Sequence, residues 1–266
     1  MALDKTDFVP IDRRRITDRI FHDLRRKIVS GEVSRGAKLP TEKELGEHYG
    51  VSGPTVREAI RGLSVIGLVE VRHGSGAYVK ANGESLVAMS LGAVIQLESV
   101  GVSDVLGILG VLNAHAAARA VQHATEADLR LLRDAAEALG RKPGTADAAA
   151  GVRMFLHALA RAAHNPLLEV MCGFLANIQT EFAVEVADGS AQAWEKILGG
   201  LQAIRMRFVE SIERRDAGGA VALAAEFHAE ASALVGSLPK AREVHLSDPQ
   251  LGLLLSTIVD RLTKAS

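Results

Sequence analysis

The stretch from Thr41 to Leu63 constrains the fold of this chain more than any other. Thr41 with Glu44 three residues later forms the reciprocal capping pair of a helix start, and that helix is short, reaching Tyr49 before Gly50 supplies a turn. Ser52 then caps a further helix that carries Val56, Ala59, Ile60 and Leu63 on its inner face. Upstream, Ile16, Ile20, Leu24 and Ile28 recur at four-residue spacing and mark a first helix, with Gly31 placed to end it. Downstream, residues 67–71 and 77–80 alternate as two short strands around residues 72–76, a hairpin whose glycines can approach another backbone closely. Three helices plus such a wing predict a winged helix-turn-helix over residues 1–80.

Charge agrees with that division once it is split by region. The whole chain of 266 residues carries a net charge of −1, which on its face argues against nucleic acid. Residues 1–80, however, hold 15 Lys+Arg against 11 Asp+Glu, a net of +4, and residues 81–266 hold 16 against 21, a net of −5. The change falls at the polar stretch Ala81 to Glu84, so residues 81–102 read as a linker and the start of a helical region. A basic module followed by a larger acidic one is expected where only the first meets phosphates. The single cysteine, Cys172, excludes an internal disulfide framework and any multi-cysteine metal site. The N-terminus is too polar for a signal peptide, and no run reaches the roughly 18 uninterrupted apolar residues of a membrane span. The expectation is a soluble, cytoplasmic protein with no membrane partner.

Three segments carry a resemblance: residues 38–45 (LysLeuProThrGluLysGluLeu), 50–60 (GlyValSerGlyProThrValArgGluAlaIle) and 67–79 (GlyLeuValGluValArgHisGlySerGlyAlaTyrVal). In this order they resemble the DNA-binding signature of GntR-family bacterial repressors, over nearly all of Ile16 to Val79. The resemblance implies a double-stranded DNA operator as partner. It implies operator contacts for Lys43, for Ser52, Pro54, Thr55 and Arg57 on the recognition helix, and for His73 and Gly74 at the wing tip. The chemistry suits those roles, because Arg57 can bond a guanine edge or a phosphate, and Ser52 and Thr55 can hold phosphates at a helix N-terminus. Against that reading, Arg57 could merely pair with Glu58 or Glu47 on the surface. One position departs from the family: Gly53 stands where an arginine is usual, so a base-reading guanidinium is missing.

From Ser103 onward the sequence reads as successive helices, about six as far as Leu238, with no competing strand pattern. Ser103 and Thr125 are plausible caps, Pro166 opens a helix after Asn165, and residues 140–145 and 187–190 are breaks. The aromatic content of 4% likewise favours a core of Ala, Leu, Val and Ile in helices. The predicted class is therefore mainly α, an N-terminal winged helix-turn-helix plus a C-terminal all-α bundle over 103–238. Residues 239–266 form an extension whose Leu251, Leu254, Leu255, Ile258 and Leu262 fall on one side of a helix; it either caps the bundle or adds to a dimer contact. Segments 103–106, 116–120, 155–168 and 211–220 resemble the helical sensor domain, of FCD type, in the fatty-acid-regulator branch of the GntR family.

That resemblance implies a metal site of one Asp and three His inside the bundle, yet its four positions fall on Val152, Leu156, Arg205 and Phe227. An arginine and a glutamate that would meet an effector fall on Leu109 and Asn113. His157 and His228 each lie one residue beyond an expected ligand, a shift of about 100° around a helix. The expectation is no metal and no other cofactor. Leu109, Asn113, Val152, Leu156 and Phe227 would line an apolar pocket, with Arg205 as anchor for a fatty acyl group, an aromatic acid or a steroid-like acid. Arg205 could instead pair with Glu181 or Glu185, the side chains could simply fill the core, or the histidines could rebuild a shifted metal site. A recognition helix reads only a few base pairs, so the reading is a homodimeric, ligand-responsive repressor on a palindromic operator. Catalysis is not expected: about 185 residues are too few for an aminotransferase-like domain, and no catalytic constellation stands out. A second domain that only dimerises or binds protein remains the other alternative.

Overall fold

The computed structural model describes residues 13–80, 83–98, 100, 102–141 and 145–242. It divides into two compact units, the first ending at Leu86 and the second beginning at Val87. The first unit holds α1 (Arg13–Val29), α2 (Glu42–Tyr49), α3 (Gly53–Val65), β1 (Val69–Arg72) and β2 (Gly76–Val79). The expected Thr41–Glu44 capping box is present in both directions, so two orphan N–H groups of α2 are satisfied from within four residues. Gly50 closes α2 in the left-handed region at φ 66°, where a Cβ would be strained, and the chain turns directly into α3. Ser52 occupies the position before α3 as expected but makes no capping bond to the backbone, because its hydroxyl meets that of Thr55 at 2.9 Å.

Ile20, Leu24 and Ile28 of α1 are buried with Leu45, Val56, Ile60 and Leu63, so the fourfold spacing of α1 packs onto the inner face of α3. Tyr49 ties α2 to α1 by donating its hydroxyl to Asp23 at 2.7 Å. Burial and that carboxylate push the Tyr49 pKa up to about 12. The strands are antiparallel, with Val69 opposite Val79 and Arg72 opposite Gly76. Residues 37–39 join the other edge of β2, where Leu39 donates to Ala77 and Val79 donates to Ala37, so the wing is anchored on both sides.

Helix α4 (Gly83–Leu97) spans the unit boundary and covers much of the stretch expected as linker. The second unit continues with α5 (Val102–His123), α6 (Glu126–Ala138), α7 (Thr145–Ala162), α8 (Pro166–Ala187), α9 (Ala191–Glu213) and α10 (Ala217–Gly236). The six helices expected between Ser103 and Leu238 are these. Thr125 caps α6 with Asp128, and Asn165 caps α8 from the residue before Pro166. Ser103 is not a cap: α5 already begins at Val102 and Ser103 lies in its first turn. Arg215, itself at φ 60°, donates to the carbonyls of Ala120, Val121 and Ala124, which satisfies the end of α5 and fixes the start of α10 beside it.

Segments Ser103–His123 and Pro166–Ala187 are long and apolar enough on mean hydropathy to cross a membrane, although neither is an uninterrupted apolar run. Half of the α8 window is buried against the other helices, and a helix enclosed by a bundle acquires this composition. Phe155, Phe208 and Phe227 meet edge-on or tilted, at centroid separations of 5.8 to 6.4 Å, at the centre of that bundle.

One carboxylate predicts how this unit responds to acid. Burial alone would raise the Asp128 pKa, but the Thr125 hydroxyl, His164 at 2.8 Å and the Thr125 backbone N–H hold it down at about 2. A folded value below the ordinary 3.8 contributes stability that is full above about pH 4 and is lost as pH falls toward 2, about 2 kcal/mol in all. Acid unfolding followed by circular dichroism is expected to lose that increment in Asp128→Asn.

Candidate nucleic-acid interface and bundle cavities

In the first unit, Lys43, Ser52, Pro54, Arg57, His73 and Gly74 are exposed and Thr55 is half-buried. Lys43 stands in the first turn of α2, extended from the surface, with Glu47 4.0 Å away. Arg57 does not pair with Glu58 or Glu47. Its Nε and Nη2 donate instead to Glu42 at 2.6 to 3.0 Å, which ties the start of α2 to α3. The pair lowers the Glu42 pKa and raises that of Arg57. Exposed pairs of this kind contribute little to stability, so a phosphate or guanine edge can displace Glu42 at small cost. Because Ser52 bonds Thr55, no side-chain oxygen caps α3, and the positive end of its dipole faces outward with two hydroxyls beside it.

The wing tip holds His73 and Gly74, the latter at φ 71°. Arg72 was not singled out by the sequence reading. It stacks 4.6 Å from the Tyr78 ring centre and bonds Glu70, while the Lys38 ammonium lies 5.9 Å from the same ring centre. Two further cations therefore stand at the wing, and the signal for them was the Arg-His pair at its tip and the place of Lys38 at the head of the 38–45 segment.

In the second unit, Val152, Leu156, Arg205 and Phe227 line one enclosed cavity of about 30 Å³, with Gln179, Thr180, Trp194 and Leu201 among the other walls. Leu109 and Asn113 are fully buried but are not among its lining residues. Arg205 is 1% exposed. Among the described residues it has no carboxylate partner: Nη1 donates to Gln202 at 2.6 Å and Nη2 to the Leu198 carbonyl at 3.2 Å, while Nε has none. Neither Glu181 nor Glu185 pairs with it; Glu181 faces Arg153 instead at 3.6 Å. Burial pulls the Arg205 pKa down to about 10, so the group stays charged at neutral pH. The side-chain oxygen of Gln179, in the same cavity wall, is likewise buried without a donor.

The residues present do not fit a metal. Among the described residues no three His, Cys, Asp or Glu side chains come together as ligands. His228 is buried with Nε2 2.7 Å from Asn113 Nδ2, and burial holds its pKa down at about 4. His157 is half exposed, faces Glu169 at 3.7 Å and lines a different cleft with Asp128 and Met154. A shifted site built on these two histidines is therefore not formed. Cys172 is buried, and desolvation pushes its thiol up to about 12, which makes it inert.

A larger groove, about 740 Å³, runs between α5 and α10 and was not foreseen. Its walls include Ser103, Gly107, Gly110 and Ala114 on one side and Ala225, Ala229, Ser232 and Gly236 on the other, with His228 also lining it. Small residues carry a weak hydrophobic signal, so the groove does not stand out in the apolar pattern of either helix.

Comparison with known proteins places these features in context. Residues 16–79 match the family model described as bacterial regulatory proteins, gntR family, and residues 104–230 match the FCD domain. The HTH-type transcriptional regulator LutR of Bacillus subtilis is 30% identical over 155 residues, 58% of this chain and 71% of that one. The Uxu operon transcriptional regulator of Escherichia coli K12 is 33% identical over 150 residues, 54% of this chain and 57% of its own length. A solved structure, Streptococcus agalactiae GntR, superposes with a TM-score of 0.60 at 21% identity, covering 80% of this chain and 97% of that one, a likeness of fold.

Proposed function

We propose, from the premise that this chain belongs to the GntR family of bacterial regulatory proteins and carries an FCD domain, that it is a dimeric repressor whose operator affinity is set by an organic acid. That it is a DNA-binding transcriptional regulator, and not an enzyme, follows from the family itself. The finer reading assigns operator contact to Lys43, Ser52, Pro54, Thr55, Arg57, His73 and Gly74, with α3 in the major groove and the wing at the adjacent minor groove. Two such units bind a palindrome, since a two-fold dimer presents two recognition helices to two half-sites. A protein acting on DNA in this way works in the cytoplasm.

One observation carries the effector reading: Arg205 is a buried guanidinium with an unfilled Nε and no carboxylate beside it among the described residues, in a mostly apolar cavity. A charge so placed is costly unless something anionic reaches it. The cavity at about 30 Å³ admits one water, so an acid can enter only if the surrounding helices part. Occupancy is thereby coupled to the packing of α7, α8, α9 and α10, which is the differential free energy an allosteric effector requires. The test is the affinity of the protein for a duplex selected from a random pool, titrated with aliphatic and aromatic carboxylates. At least one acid is expected to shift the affinity by roughly 5- to 150-fold. If none does, the effector reading fails while DNA binding stands.

A further inference from the structure

The α5–α10 groove is unsuited to an acid, since no lysine or arginine is among its described lining residues. Its walls follow a pattern instead. On α5 the small residues Ser103, Gly107, Gly110 and Ala114 stand at steps of four, three and four. On α10, Ala225, Ala229, Ser232 and Gly236 repeat the same steps. Residues so spaced lie along one side of each helix, and their small side chains leave a channel where a third helix could approach both backbones. The pattern alone assigns no occupant.

The rest of the chain supplies one. Ala241, at the end of the described residues, is itself in the groove wall, next to the end marked by Gly236, and 24 residues follow Arg242. Among them Leu251, Leu255, Ile258 and Leu262 stand at those same steps of four, three and four, with Leu254 beside them. The large side chains of this row complement the small residues of the walls, and Leu106, Val111, Phe182 and Val235 add apolar surface around them. Asp260 and Lys264 fall on the opposite side of such a helix, and Arg261 stands at the flank beside Leu254. The lengths agree as well, for the wall from Ser103 to Ala114 and the row from Leu251 to Leu262 each rise about 17 Å as helix. The connection from Ala241 to Leu251 can reach about 35 Å, ample to turn the segment back. Ser247, Asp248 and Pro249 provide a helix start immediately before it.

We infer that residues 249–264 dock as a helix in the groove between α5 and α10 of their own chain, capping the sensor bundle. This holds whether or not an acid binds near Arg205. The experiment is hydrogen exchange on the full chain, with molecular mass measured by light scattering. Leu255→Asp with Ile258→Asp is expected to speed exchange of residues 103–114 and 225–236 at least tenfold without changing the mass. From the wall side, Ala229→Trp fills the groove and is expected to speed exchange of residues 251–262 similarly. Unchanged exchange in both variants would overturn the proposal. So would faster exchange accompanied by a halved mass, because the segment would then serve a second copy.

Discussion

Arg205→Met is expected to make the protein more stable and to abolish its response to any acid. The wild-type guanidinium is 1% exposed, keeps an unfilled Nε, and relies on Gln202 and one carbonyl for its bonds. Replacing whole buried ion pairs by apolar side chains of similar volume is often neutral or stabilising by about 1–4 kcal/mol, and removing a lone buried cation is expected to act in the same direction, a rise of a few degrees in Tm. The cost of the charge in the empty protein is what an incoming carboxylate recovers. A ligand at a hundred times its Kd stabilises the wild type by about 2.7 kcal/mol, and the variant is expected to show none of this. Differential scanning calorimetry with and without acid separates the two effects. If Arg205→Met lowers Tm, the arginine is a structural fixture of α9 and not an anchor.

The second large effect lies at the DNA. Lys43→Ala with Arg57→Ala is expected to weaken operator affinity by roughly 30- to 1000-fold, as one phosphate contact and one base or phosphate contact are lost. The slope of log affinity against log salt is expected to flatten by about 1–2, since each phosphate contact releases a counterion. Glu42→Gln is a useful companion. It frees Arg57 from its ion pair with Glu42 while leaving the cation in place, so affinity is expected to hold or rise. Calorimetric stability of the double variant is expected to change little, because both side chains are exposed. Gel-shift titrations across 50–200 mM salt check all three.

What could be read beforehand was local. Thr41 with Glu44, Thr125 with Asp128, and Asn165 before Pro166 start their helices through bonds within three or four residues, so the sequence sufficed. Ser103 misled because a serine before an apolar run resembles a cap, yet α5 begins one residue earlier and takes Ser103 into its first turn. Ser52 kept its place but spent its hydroxyl on Thr55. Pairings between elements were harder. Arg57 had Glu47 and Glu58 near it in sequence, but folding brought Glu42, fifteen residues away, within 3 Å. The pocket showed the same limit. Four residues aligned by family position do meet around one cavity, whereas Leu109 and Asn113 are buried on α5, and Asn113 is committed to His228. Nothing in the chain's periodicity marked Arg205 as lacking a carboxylate, because that depends on which faces of α8 and α9 meet.

The central claim is that the winged first unit reads DNA by sequence. Its most direct test is equilibrium binding of the full chain to a duplex enriched from a random pool, against a scrambled duplex of equal length at physiological salt. The expected result is enrichment of a two-fold symmetric site with half-sites about 10 base pairs apart and binding at least 1000-fold tighter than to the scrambled control. Equal affinity for the two duplexes, or a pool that never converges, would contradict it.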